Sequence, residues 1–355
     1  MSTRDVMLVG SVPLKPASSV FDCVCRHGLA PLMRRIPDGE QGGWGGSSTF
    51  LENPAFEPFG PKLKVTTRPT TFFDQIDLQL RRPKAGSDTA NIDVGEFGIA
   101  QNAKRSYAEF KKFKNEGKFR ADTRFCVTFM GPGTKFGFIV MPVEQFHPLM
   151  EKAFKAEIER VLQIVPANEL TIQFDLAGEV EIEEYRRRPQ SFQLPVFEQT
   201  QKYWELGPTT SMLANIVNAI PPEVEVGFHL CAIYHIDESQ GQDLNVHVDY
   251  ANMLSEKIKR PIGYIHIPTV PTHNENDFEA LKRLRLHPET KLFIGLIHLQ
   301  DGVEGAQRRL RAAAKSYPNF GIATFCGLAQ PSRQEYAQPH SVDDIFEIHR
   351  KVAET

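Results

Sequence analysis

PEVEVGFHLCAIYH, residues 222–235, changes character part-way along, and that change organises the reading of the whole chain. Apolar and β-favouring residues run up to Phe228, and then His229 and Cys231 follow with one residue between them. On a strand, positions i and i+2 share a face. An imidazole and a thiol would therefore leave the strand's end in the same direction. Zinc takes nitrogen and sulfur ligands of this kind. Taken alone, the pair more often means a buried thiol beside a hydrogen-bonded histidine. Cys326, in GIATFCGLAQ (321–330), adds a third candidate at the end of the last strand-like run.

Outward from this strand, the same unit repeats. Met212, Leu213, Ile216, Val217 and Ile220 before it, and Tyr250, Leu254 and Ile258 after it, are spaced as one face of a helix. Strands are expected over 6–12, 32–36, 124–130, 170–176, 223–231, 261–267, 291–299 and 321–325, with helical stripes between most of them. Alternating β and α at this scale implies a parallel sheet with crossover helices. Eight such units predict a (β/α)8 TIM barrel in the α/β class, and 355 residues suit one such domain carrying an insertion. Residues 41–122 break the alternation with frequent Pro and Gly, so a lid or hairpin insertion after strand two is expected there. Within it, 102–120 is basic, which reads as a solvated helix face or a site for an anion.

Composition narrows the function. A net charge of −3 gives no push toward nucleic acid or anionic lipid, and no apolar run approaches a membrane span. The expected partner is a small molecule. Five cysteines, an odd number, do not suggest a disulfide framework, and MSTRDVMLVGSV reads as a strand rather than a secretory signal. A reducing, cytoplasmic location is the expectation. Cys23 and Cys25 fall on one predicted helix, where residues two apart do not face each other, so no joint metal or redox role is expected of them.

In a barrel of this kind, active sites gather at the C-terminal ends of the strands. Ser11, Asp38, Glu40, Asp175, His229, Cys231, His266, His298 and Cys326 all fall at predicted strand ends. Asp38, in Pro37-Asp38-Gly39, also reads as turn chemistry. His266 lies two residues before Pro268 on PIGYIHIP (261–268).

Six short motifs, in order and at strand ends, carry a resemblance: VGSVP (9–13), PDGE (37–40), MGPGT (130–134), IQFD (172–175), HLC (229–231) and CGL (326–328). They resemble the catalytic barrel of cobalamin-independent methionine synthase, within the superfamily shared with uroporphyrinogen decarboxylase. The match spans the chain except residues 41–122, and one barrel rather than the synthase's two. The resemblance implies zinc held by His229, Cys231 and Cys326. It also implies carboxylates Glu40 and Asp175 on the substrate's amino group, with Ser11 near its carboxylate. The family's fourth ligand, a glutamate, falls at Pro268 here, and His266 on the same strand face is the expected substitute. The resemblance implies methyl transfer to a zinc-activated thiol. The alternative is a zinc-dependent lyase or hydrolase on a small carboxylated or aromatic substrate, with His235, His266 or His298 handling protons.

Overall fold

The structure is a computed structural model that describes residues 3–41, 53–65, 76–136, 139–187, 205–231, 243–328 and 339–355. Eight parallel strands form one sheet: β1 (Val6–Met7), β2 (Arg35–Pro37), β5 (Arg124–Met130), β6 (Leu170–Asp175), β7 (Glu225–His229), β8 (Tyr264–Pro268), β9 (Lys291–Ile297) and β10 (Phe320–Thr324). The order is β1-β10-β9-β8-β7-β6-β5-β2. Apart from the β1–β10 step, neighbours follow in sequence, and β1 and β2 end the run. Just beyond those two, the Val12 amide donates to the Gly39 carbonyl (3.3 Å). The sheet thus curls into a nearly closed (β/α)8 barrel, as the alternation predicts. An antiparallel hairpin of β3 (Phe56–Val65) and β4 (Ile76–Pro83) stands apart from it.

The outer ring contains α1 (Ala17–Arg26), α2 (Ile99–Asn115), α3 (Pro132–Phe136), α4 (Val143–Leu162), α5 (Gly178–Arg187), α6 (Leu206–Asn218), α7 (Leu244–Lys257), α8 (Glu275–Phe278), α9 (Gly302–Ser316) and α10 (Pro339–Ala353). Most of the basic stretch 102–120 lies on the ring helix α2, which ends at Asn115. This helix buries Ile99, Ala103, Tyr107 and Phe110 and exposes Lys104, Lys111 and Lys112, while Lys114 turns inward to the Thr123 carbonyl (2.9 Å). Among the described residues, no helix is long and apolar enough to cross a membrane. Several strands are shorter than their apolar runs, β1 most of all, because the chain leaves the ladder before its apolar residues end, whereas β5 keeps 124–130 in full.

Strand alternation sorts the core into two layers. Phe129, Phe174 and Phe228 lie opposite one another on β5, β6 and β7 and point outward, where Phe154 of α4 packs against Phe129 and Phe174. Truncating Phe174, fully buried in this stack, should cost about 3–5 kcal/mol. The intervening residues point inward: Thr171, Gln173 and Asp175 on β6, Glu225, Gly227 and His229 on β7, and Tyr264 and His266 on β8. This inner layer is unusually polar. At the N-terminal end, Arg35 donates through Nε and Nη2 to both oxygens of Glu225 (2.8 Å each), and Thr171 donates to the same carboxylate (2.7 Å). The Arg35 guanidinium lies 4.4 Å over the Tyr264 ring. Gly227 makes the room, since a Cβ there would collide with that ring.

Candidate metal centre

At the other end of the barrel, β7 stops at His229 and the chain turns. The Leu230 amide donates to the His266 carbonyl (3.0 Å), and the Cys231 amide folds back onto the His229 carbonyl (3.0 Å). Cys231 is therefore no longer on the strand, yet its thiol stays beside the imidazole. Cys326 arrives from the far side, two residues past β10, where Thr324 Oγ1 donates to the Cys326 carbonyl (2.8 Å). The ligating atoms of His229, Cys231 and Cys326 lie within 4.8 Å of one another, and all three residues are buried.

The donor set fits zinc. The two sulfurs are 3.5 Å apart, and both cysteines are free thiols. A disulfide would need about 2.05 Å. Two thiolates at Zn–S distances of about 2.3 Å on a tetrahedral ion lie about 3.8 Å apart. Burial, and then the neighbouring Cys326, push the Cys231 thiol well above its ordinary range. A bound cation would have to displace the Cys231 proton.

Carboxylates ring the trio. Asp175 pairs with His229 in the β6–β7 register, is buried, and accepts from Gln173 Nε2 (2.8 Å). Glu40 has a φ of 57°, rare for a residue with a side chain, and its amide donates to Asp38 Oδ1 (2.7 Å). This turn sends the Glu40 carboxylate back over Gly10, where a Cβ would strike it, and within reach of the Thr128 hydroxyl. Burial, then Asp175, Cys326 and Asp38, raise its pKa well above the usual carboxylate range. Asp38 shapes this turn and takes a hydrogen bond from Ser106 of α2; burial raises its pKa too. Ser11 presses against Gly327, the residue after Cys326, and its carbonyl accepts from the Leu328 amide (2.7 Å).

His266 is fully buried but outside the three-ligand group. Its Nδ1 is 2.7 Å from His229 Nδ1, and its Nε2 is 3.0 Å from the Thr324 carbonyl. Burial pushes its pKa down to about 3, so it is neutral at physiological pH. His298, also buried, lies with its ring 6.3 Å from that of Phe325, next to Cys326 in the chain. His235 lies outside the described residues.

The sequence reading passed over Gln173, Thr128 and Gly10 as site residues. Gln173 carried a signal: it stands two positions before Asp175, on the same strand face. Its amide is fixed from behind by Tyr264, whose hydroxyl donates to Gln173 Oε1 (2.7 Å). Thr128 and Gly10 had none, because their importance comes from where Glu40 lands.

A second group, Cys23, His27 and Asp343, also brings three ligand types together. There the cationic position is already filled. Arg26 lies 2.9 Å from Asp343 and donates to the Cys23 sulfur (3.5 Å), while His27 Nε2 is 2.7 Å from Asp343. The arrangement ties α1 to α10.

No protein-family model and no curated protein matches the chain. Among solved structures it is similar to a B12-independent methionine synthase from Shewanella sp. W3-18-1, in complex with selenomethionine. The TM-score is 0.57 at 14% identity, over 100% of this chain and 97% of that one. At that identity the likeness shows the barrel fold.

Proposed function

We propose that this protein is a zinc-dependent, methionine synthase-like enzyme that transfers a methyl group to a metal-activated thiol. The observation that carries the reading is the convergence of His229, Cys231 and Cys326 at the C-terminal end of the barrel. Three protein ligands are what a catalytic zinc site needs, with a further position left for substrate. The ligand set is rich in thiolate and suits thiol chemistry. The neighbouring fold is that of a B12-independent methionine synthase.

In this reading His229, Cys231 and Cys326 hold the ion. Zinc, when bound, supplies the Lewis acidity that keeps a substrate thiol ionised near neutral pH. Glu40 and Asp175 bind the substrate's ammonium group: each raises the cost of the other's charge, and a cation between them removes that cost. Ser11 donates to the substrate carboxylate, and Asp38 holds the Glu40 turn. His298 and His235 are the candidates for proton handling. In the transfer a carbon–sulfur bond forms to the methyl group, while the donor's bond to it breaks and the donor keeps that electron pair. Within the segment 41–122, α2 belongs to the ring of the same single domain, and the β3–β4 hairpin serves as the lid. In support, β4 reaches the loop after α3, where the Val140 amide donates to the Arg81 carbonyl (2.8 Å).

The test is the metal content of purified protein, reconstituted with zinc under reducing conditions. One equivalent is expected in wild type and much less in Cys231→Ser and Cys326→Ser. A wild type holding well under one equivalent would remove the basis of the reading. Methyl transfer to a thiol such as homocysteine, assayed on the loaded protein, separates it from lyase or hydrolase chemistry.

A further inference from the structure

His266 does not reach the three-ligand group, yet it is buried against His229 in a way that fixes that residue's chemistry. The Thr324 carbonyl can only accept, so His266 Nε2 carries a proton and donates to it (3.0 Å). With its ring proton on Nε2, His266 has its lone pair on Nδ1, which faces His229 Nδ1 at 2.7 Å. One of those two nitrogens must donate, and it is His229 Nδ1. The proton on Nδ1 leaves the lone pair of His229 on Nε2, the nitrogen that must be bare to ligate a metal.

We propose that His266 is a positioning residue: it holds His229 as the Nδ1–H tautomer and so presents Nε2 to the ion, rather than ligating the ion itself. The inference rests on the trio being a zinc site and goes further, by assigning a role to the histidine near the position of the family's missing glutamate.

The surroundings are built for this arrangement. His229 and His266 are opposite each other in the β7–β8 register, so both rings enter the barrel at one level. Their centroids are 4.8 Å apart and tilted by 49°, which suits an edge-to-edge hydrogen bond better than stacking. Gly295 on the next strand leaves the space: a Cβ there would lie 2.7 Å from the Thr324 carbonyl and 3.1 Å from His266 Nε2. The relay from Thr324 carbonyl to His266 to His229 crosses from β10 to β7. It ties the strand that leads to Cys326 to the strand that leads to Cys231. The same contacts keep His266 from turning toward the ion, because both of its nitrogens are engaged.

Two measurements test it. The first needs no metal. Two-bond proton–nitrogen correlation spectra of reduced, metal-free protein with labelled histidine should show His229 protonated on Nδ1 and His266 on Nε2. A His229 protonated on Nε2 overturns the proposal. The second uses zinc. X-ray absorption of the wild-type complex should show two sulfurs and one imidazole, and a second imidazole in the shell overturns the proposal. His266→Leu should keep both sulfurs but bind zinc roughly 10–100-fold more weakly. His266→Asn, whose side-chain carbonyl can accept the same hydrogen bond, should recover most of that loss. An Asn variant as weak as the Leu variant, or a Leu variant as tight as wild type, counts against the relay. If wild type takes up no zinc, the zinc reading fails, while the metal-free spectrum still decides the tautomer of His229.

Discussion

The two ends of the barrel interior both bury ionisable groups, and they treat them in opposite ways. At the N-terminal end, burial pushes the Glu225 carboxyl up, but the Arg35 guanidinium and the Thr171 hydroxyl more than offset it, and its pKa ends below the ordinary value. Arg35 is likewise held in its charged form by Glu225 against the cost of burial. At the C-terminal end, burial raises Glu40, and its neighbours Asp175, Cys326 and Asp38 carry the same sign and raise it further. One end has paired its charges with each other. The other has gathered groups of one sign, which a cation from outside would satisfy. Buried charge alone is therefore a poor marker of function, and buried charge of one sign is a better one.

Breaking the paired end should have the largest effect on stability. Arg35→Ala strands Glu225 in the core, and a loss of about 3–5 kcal/mol is expected by urea denaturation at neutral pH. The sign with pH follows from the lowered Glu225 pKa. The stabilisation is complete above the unfolded-state value of 4.5 and is lost as pH falls through the lower folded value, so the gap between wild type and variant should close in acid. A gap that persists there would mean that packing, not charge, holds this end together.

Removing a carboxylate from the like-charged end should do the reverse. Glu40→Gln should leave stability within about 1 kcal/mol while lowering kcat/KM roughly 10- to 100-fold, the loss of one charged contact to substrate. In metal-free, reduced protein the ionised Glu40 is a penalty that appears as pH rises above 4.5, because its folded pKa is raised. The variant should therefore match or exceed wild type at pH 8 and lose that advantage at pH 4. A large destabilisation with unchanged activity would make Glu40 part of the scaffold.

The smallest effect is expected outside the barrel, where Arg26, His27 and Asp343 meet. Asp343 is partly exposed, and its pairing with His27 and Arg26 lowers its pKa. Asp343→Asn should cost at most about 0.5 kcal/mol, as exposed ion pairs do, and should leave zinc content at one equivalent. A fall in metal content would show that this cluster, and not only the barrel end, holds an ion.

How much of this was legible before the structure varied by element. The eight barrel strands could be placed because their apolar runs are bounded by Gly, Pro and polar residues, and the helices between them repeat at three-and-four spacing. The short helices α3 and α5 escaped notice: PGTKF and GEVEIEEYRR carry too few apolar residues for a stripe. His229, Cys231 and Cys326 were visible as a group because each stands at a strand end. The shared strand face that first linked His229 to Cys231 is not how they meet, since the chain has already turned at Leu230.

The sequence by itself determined the period of the chain, and with it the barrel and the rim on which polar residues collect. Local propensity and hydrophobic spacing act over a few residues and are written in the order of the letters. Tertiary structure alone decided which polar groups meet. Cys231 and Cys326 are 95 residues apart, and His266 and the Thr324 carbonyl 58. Only the curl of the sheet sets their sulfurs 3.5 Å apart and turns His266 onto His229. The role of a titratable side chain depends on distances and on burial, and both are fixed only when strands distant in the chain close into one barrel.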